Sequence, residues 1–233
     1  MNQPLYKQVT DYVIERIKTG AYPPGGMLPN EFELADSTGV SQGTARKALA
    51  DLESRGIIER RQGKGSFVTL RTPENSLFHF FRLRKEDGSQ VVPEKIHEAV
   101  KTRASTASEK NNLYGAPSKV VEISRVRGFE GHPLCHETCV FSAERFPGLA
   151  DRTPLPNTLY VLLQQAYGCI IMSASERLSA AALDAAVAGK MNLEPGTPVL
   201  VSERISRDLE DRAVEIRTSV FLTENAKYFV ELR

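Results

Sequence analysis

The pattern of this chain predicts an α+β protein in two parts: a small helical unit ending in a strand pair, then a larger antiparallel sheet with helices on one side. Three observations predict it. Apolar residues recur at helical spacing as far as Leu52. A glycine-rich, cationic turn between two short strands follows. From residue 77 onward, strand-like runs dominate and come as hairpins, which points to an antiparallel sheet.

Composition limits the classes open to it. At 233 residues, 41% hydrophobic and 25% charged, the chain is a globular protein of one or two domains with a sizeable core. The start, Met1-Asn2-Gln3-Pro4, has no apolar signal core, and no run approaches membrane-spanning length. A cytoplasmic location and no membrane partner are expected. Three cysteines, an odd number, fit reduced thiols rather than a disulfide frame. The net charge of +1 singles out no partner. Between Ser41 and Arg71, however, seven lysines and arginines stand against three acids, a local surplus typical of a phosphate binder.

Residues 4 to 19 read as the first helix: Pro4 suits its first turn, and Leu5, Val9, Val13 and Ile17 recur every four residues. The loop Gly20 to Gly26 leads to a second helix, begun by Asn30 as cap with Glu33 three residues on, a capping-box arrangement. Gly39 ends it, and Ser41 caps a third helix after a three- or four-residue turn, which is helix-turn-helix spacing. In that third helix Ala45, Ala48, Leu49 and Leu52 share one face, and Gly43, Arg46, Lys47 and Ala50 lie roughly opposite. The small, cationic front suits the DNA major groove, which admits one helix. Gly56 stops the helix, and Ile57–Arg60 and Ser66–Thr69 read as strands around the turn Arg61-Gln62-Gly63-Lys64-Gly65. The sum is a winged helix-turn-helix.

These residues resemble the GntR family of bacterial transcription regulators. The resemblance is carried by Pro4-Leu5-Tyr6, Pro24-Gly25, Leu28-Pro29, Glu33-Leu34-Ala35, Gly39-Val40-Ser41, Thr44, Arg46, Ala48-Leu49, Gly56 and Arg61 to Val68. It implies that Thr44 and Arg46 sit where the recognition helix meets double-stranded DNA, with Gln42, Gly43 and Lys47 on the same front. Arginine forks onto guanine or clamps a phosphate. The competing role for Arg46 is a surface salt bridge with Asp51 or Asp11. Ser41 is a further phosphate partner, because helix N-termini favour anions. Gln62, Gly63 and Lys64 at the wing tip are placed to lie along a groove or a phosphate strand. Two positions depart from the family: Phe32 and Gln42 stand where many members carry arginine.

Residues 1–70 therefore form the expected DNA-binding domain, 71–76 a polar linker broken by Pro73, and 77–233 a second domain. In that second domain, strands are expected at Leu77–Leu83, Ile96–Lys101, Val120–Phe129, Leu134–Phe141, Ile170–Leu178, Val199–Ser206, Val214–Leu222 and Tyr228–Leu232. Helices are expected at Ala107–Leu113, Asn157–Tyr167 and Ala180–Met191. This half resembles the UTRA effector-binding domain of the HutC branch of the same family, through Ile123 to Arg127, Glu130-Gly131-His132-Pro133, Glu137-Thr138, Thr158-Leu159-Tyr160, Glu176, Leu193 to Leu200 and Arg204. The resemblance implies a six-stranded antiparallel sheet related to chorismate lyase, used as a sensor, and a homodimer on a palindromic operator.

Arg125 and Arg127, two apart on a strand, share a face. Adjacent guanidiniums repel unless an anion or carboxylate bridges them, which fits a pocket for a carboxylate or phosphate effector. A two-residue turn places Arg125 opposite His136. A three-residue turn with Gly131 left-handed places Cys135 and Glu137 on the arginine face instead, and the resemblance favours this second arrangement. It also matches Thr158, Tyr160 and Glu215 to pocket positions, with His79 as a further wall, and Phe221 near the place where members often carry a tyrosine hydroxyl. The run His132 to Cys139 tempts a metal reading. On a strand, however, Cys135 and Cys139 stand about 13 Å apart at ~3.3 Å per residue and His136 points away, so neither metal nor cofactor is expected. The expected function is a repressor whose operator binding a small anionic metabolite modulates. The alternative is an enzyme with a lyase-like domain fused to a DNA-binding module. Against it, the arginines and glutamates offer no nucleophile with its base.

Overall fold

Asn30 and Ser41 start two of the three helices that open the chain. In the structure, a computed structural model that describes residues 3–70, 72 and 81–231, α1 spans Leu5–Lys18, α2 Glu31–Thr38 and α3 Gln42–Ser54. Asn30 accepts from the amides of Phe32 and Glu33, and the Glu33 carboxylate returns to the Asn30 amide. Gly39, left-handed at φ 65°, makes the turn into α3. Val9, Val13 and Ile17 bury one face of α1 as the spacing predicts, but Leu5 is exposed. Val13 and Ile17 pack with Leu34, Leu49 and Leu52, and the wing closes that core through Ile58 and Val68. The wing strands are β1 (Ile58–Arg61) and β2 (Gly65–Val68), in register Glu59 to Phe67.

In the second unit, β4 (Glu94–Ala104), β5 (Lys119–Phe129), β6 (His132–Ser142), β7 (Ile171–Ala182), β8 (Pro198–Asp208) and β9 (Ala213–Phe221) form one sheet in the order β4-β5-β6-β9-β8-β7. All neighbours are antiparallel. A separate two-stranded ladder joins β3 (Leu83–Arg84) to β10 (Lys227–Tyr228). Of the expected closing strand over Tyr228–Leu232, only Tyr228 is in a strand among the described residues, and Leu232 lies outside them. The expected linker, apart from Thr72, most of the expected strand from Leu77, and His79 lie outside the described residues.

Three further corrections have physical causes. Ala180–Ala182 are helix formers in isolation, yet they pair with Pro198–Leu200 as the end of β7. The helix begins only at Ala185, where Asp184 caps the amides of Ala186 and Val187. Second, helices cover both faces of the sheet, because successive strand residues are apolar on opposite sides. Helix α5 (Leu159–Tyr167) packs with Val121, Ile123, Cys139 and Phe141. On the other face α6 (Ala185–Met191) packs with Val199, Val201 and Val220, beyond α4 (Ala107–Asn112), after which Leu113 meets Val120 and Val140. Third, β5 and β6 join by a two-residue turn, Glu130-Gly131, both left-handed at φ 51° and 79°. A bulge at Leu134 then shifts the register so that Arg125 faces Glu137 and Arg127 faces Cys135. The face assignment of the three-residue alternative is reached by the shorter turn.

The two units meet. Ile170, Met172 and Leu209 join the apolar cluster of the helical unit. Beside them Lys18 pairs with Glu210 at 3.3 Å, and Arg55 Nη2 donates to the Leu209 carbonyl at 3.3 Å. Leu209 and Glu210 belong to the β8–β9 turn, which Asp208 shapes by accepting the amides of Glu210 and Arg212, each at 2.9 Å. No helix among the described residues is long and apolar enough to cross a membrane. Leu209→Asp sets a carboxylate in this shared cluster. The expected result in calorimetry is two resolved transitions where the wild-type chain melts in one.

Candidate DNA-reading and effector sites

The front of α3 is open. Gln42, Gly43, Arg46, Lys47 and Ala50 are exposed, while Ala45, Ala48, Leu49 and Leu52 are buried. Ser41 Oγ accepts from the Thr44 amide at 3.2 Å and lies 2.9 Å from Thr44 Oγ1, which fixes both hydroxyls at the helix start. Arg46 Nε donates to Glu31 Oε2 at 2.9 Å. The partner is thus on α2. Asp51 pairs instead with Arg55, and Asp11 accepts from Gln3. Lys47 leans toward α1, its ammonium 4.5 Å from the centre of the Tyr6 ring. At the wing tip Gln62, Gly63 and Lys64 are exposed, with Gly63 left-handed at φ 70°. Between the start of α2 and the wing runs a groove of about 560 Å³, lined by Asn30, Glu31, Arg60, Gln62 and Lys64.

The second site is a buried ionic lattice on the α5 face of the sheet. Four guanidiniums, Arg125, Arg127, Arg204 and Arg217, face four carboxylates, Glu98, Glu137, Glu176 and Glu215. Arg125 Nε donates to Glu98 Oε2 at 2.9 Å and its Nη2 to the Pro156 carbonyl at 3.0 Å. Arg127 Nη2 donates to Asn157 Oδ1 at 2.7 Å, and Asn157 is itself anchored on the Pro93 carbonyl. Glu137 Oε1 lies 4.0 Å from Arg125 Nη1 and 3.6 Å from Arg127 Nη1, so it is the carboxylate that bridges the two arginines. Arg217 reaches Glu137 Oε2 at 3.1 Å and both its Nε and Nη2 bind Glu215 Oε1, at 2.9 and 2.7 Å. Tyr160, from α5, donates to Glu215 and lies 2.8 Å from Ser206 Oγ. Thr158 caps α5 without a side-chain hydrogen bond and is half-buried. Tyr228 brings a hydroxyl to Glu176, its ring 6.0 Å from that of Phe221. A tyrosine hydroxyl therefore does enter this face, from the short strand β10 rather than from β9.

Of the predicted effector residues the structure brings together Arg125, Arg127, Glu137, Tyr160 and Glu215, with Thr158 at the start of α5. Sequence reasoning did not single out Glu98, Asn157, Glu176, Arg204 or Arg217 as members of this site. Arg217 had a readable signal, since it stands two after Glu215 on one strand and so shares its face. Glu98 had none, because its place opposite Arg125 depends on a bulge in β4 between Lys95 and His97.

Burial pushes the Glu137 carboxyl up, but Arg217, Arg127 and Arg125 overcome it and hold it at about 2. Burial opposes ionisation of Glu215 as well, and Arg217 with the Tyr160 and Ser206 hydroxyls holds it below the usual carboxylate range. Cys135, fully buried, is pushed up to about 12 and Cys139 well above its ordinary value, so both are thiols at neutral pH. His136 lies on the opposite face of the sheet, its Nε2 2.9 Å from Ser124 Oγ.

Arg217 is the counter-ion of two buried carboxylates. Arg217→Met is expected to cost about 3–5 kcal/mol, the penalty for stranding a buried charge. The Glu137 carboxyl, ordinarily near 4.5 and held at about 2, stabilises the fold above about pH 4.5 and ceases to do so as pH falls toward 2. Urea unfolding followed by circular dichroism should show wild-type stability declining over that window. In Arg217→Met the decline should begin at higher pH.

Residues 5–68 match the profile of bacterial regulatory proteins of the gntR family, and residues 95–227 match that of the UTRA domain. The chain is similar to a probable fructoselysine utilization operon transcriptional repressor of Escherichia coli, at 29% identity over 92% of this chain and 89% of that one. It is similar to an HTH-type transcriptional repressor of Salmonella typhimurium, at 32% identity over 84% and 82%. Among solved structures, the ligand-binding domain of a GntR-family regulator from Bordetella bronchiseptica superposes with a TM-score of 0.59 at 25% identity, covering 66% of this chain and 98% of that domain. The chain belongs to the GntR family of bacterial transcriptional regulators, in the branch that joins a winged helix-turn-helix to a UTRA domain.

Proposed function

We propose that this transcriptional repressor reads a palindromic operator as a homodimer and that a small metabolite bearing a carboxylate or phosphate binds the α5 face of its UTRA domain. On DNA, Ser41 and Lys64 take phosphates, Arg46 reads a base edge or clamps the backbone, and Gln42, Gly43, Thr44 and Lys47 line the approach, with Gln62 and Gly63 carried by the wing. Two recognition helices, one per protomer, would enter successive major grooves about 34 Å apart. On this reading residues 1–70 bind DNA, 71–76 link, and 77–233 bind the effector and pair the protomers.

One observation carries the effector reading. Arg125 Nη1 and Arg127 Nε are buried and make no hydrogen bond among the described residues, and Glu137 Oε1 is in the same position. Two unspent guanidinium donors beside one unspent carboxylate oxygen favour a ligand with an anionic oxygen at one end and a donor, such as a hydroxyl, at the other. The lattice is electroneutral in itself, so the ligand is recruited by these unfilled hydrogen bonds rather than by an excess of charge. Thr158, Tyr160 and Glu215 complete the wall on this reading.

Two measurements test it. Arg46→Ala should weaken binding to the chain's own promoter duplex by about 1–3 kcal/mol in a gel shift, the worth of one well-made base contact. Equal binding by both proteins removes Arg46 from the interface. In a thermal-shift screen of small carboxylates and sugar phosphates, a true effector at 100 times its Kd adds about 2.7 kcal/mol to native stability. That gain should vanish in Arg127→Ala, and an unchanged gain places the ligand elsewhere.

A further inference from the structure

Phe32 is the most exposed of the large apolar side chains among the described residues, at 72%. It stands in the first turn of α2, whose Phe32 and Glu33 amides are already taken by Asn30 Oδ1 at 2.9 and 3.0 Å. One residue before it, Glu31 holds Arg46 of α3 at 2.9 Å. On the wing side, Glu31 also lines the groove that reaches Gln62 and Lys64. The ring therefore stands in the first turn of α2, directly after Glu31, which pairs with Arg46 of the recognition helix and with Arg60 of the wing.

Leaving an aromatic ring in water gains nothing for the fold, and a phenyl ring neither pairs with phosphate nor hydrogen-bonds a base. The major-groove edge offers one apolar group, the C5 methyl of thymine, and the minor groove offers none. We infer that Phe32 is a base-reading residue, packing its ring on a thymine methyl and selecting T·A at one position of each half-site beside the base pair or phosphate that Arg46 engages. Arg46 is steered by Glu31, while Phe32 is free to meet the methyl. The pair gives this chain one polar and one apolar determinant on adjacent positions. The inference rests on the reading that α3 enters the major groove.

The test starts from duplexes that the full chain enriches from a randomised pool. Each thymine is then replaced in turn by deoxyuridine, which keeps every hydrogen-bonding group and removes only the methyl. Wild type is expected to lose about fourfold in affinity at one thymine per half-site, the worth of one buried methyl. Phe32→Ala should bind the thymine and deoxyuridine duplexes alike while melting as the wild type does, and Phe32→Leu should keep part of the penalty. Arg46→Ala, run beside them, should weaken both duplexes by the same factor. A wild-type chain indifferent to deoxyuridine at every position, or Phe32→Ala with the penalty intact, overturns the inference and leaves the DNA reading standing through Arg46→Ala. If no duplex is enriched and Arg46→Ala changes nothing, both fall. If Phe32→Ala lowers the mass in sedimentation without touching the deoxyuridine penalty, the ring belongs to a contact between copies of this chain, and the inference is again overturned.

Discussion

The Arg217 guanidinium, wedged between the carboxylates of Glu137 and Glu215, is the interaction on which the larger domain depends. Taking one carboxylate out of water costs several kcal/mol even after the surroundings relax. This sheet face buries several carboxylates, and the fold is viable because each has a guanidinium within reach. Arg217 lies on β9, between β6 and β8. From there it neutralises Glu137 on the neighbouring strand and Glu215 on its own, and Arg125 and Arg127 complete the neutralisation from β5. The lattice is a set of mutual obligations across six strands and one helix, and the register of every ladder must be right for it to close.

The helical unit follows a similar economy on a smaller scale. Glu31 is the counterpart of Arg46 and, at 3.8 Å, of Arg60, while Arg60 also meets Glu53 at 3.3 Å. These pairs are partly exposed, so each is worth little to stability. Their effect is geometric. An arginine held at Nε by a carboxylate keeps its terminal nitrogens pointed outward, so less rotamer entropy is lost when a base edge or phosphate arrives.

Much of the fold was legible because local signals agreed with the tertiary result. Asn30 with Glu33, and Ser41 with Thr44, act as the caps their types suggest, and the alternation of Arg125 and Arg127 places both on one face. Signals failed where tertiary pairing overrode local preference. Ala180 to Ala182 read as helix because alanine favours it, yet pairing with Pro198 to Leu200 was stronger. For the turn at Glu130-Gly131 the resemblance favoured three residues and the structure has two, because the bulge at Leu134 that decides which face Glu137 takes has no signature in residue type. The partners named for Arg46 were Asp51 and Asp11, and the one it takes is Glu31 at the start of α2, a contact between helices that sequence separation does not reveal. Glu98 and Glu176 sit on edge strands whose registers sequence leaves open.

The β8–β9 turn has a consequence for how the halves communicate. Glu215 and Arg217 lie on the strand that leaves this turn, and Leu209 at its tip is lodged in the apolar cluster of the helical unit. A hydrogen-bonded hairpin is stiff along its length, so it behaves as a lever with one arm in the ionic lattice and the other under the head. The head also borrows part of its oily interior from Ile170 and Leu209. Severed from the sheet, it would carry a bare patch where that tip had rested, and its independence would be bought with lower thermal endurance.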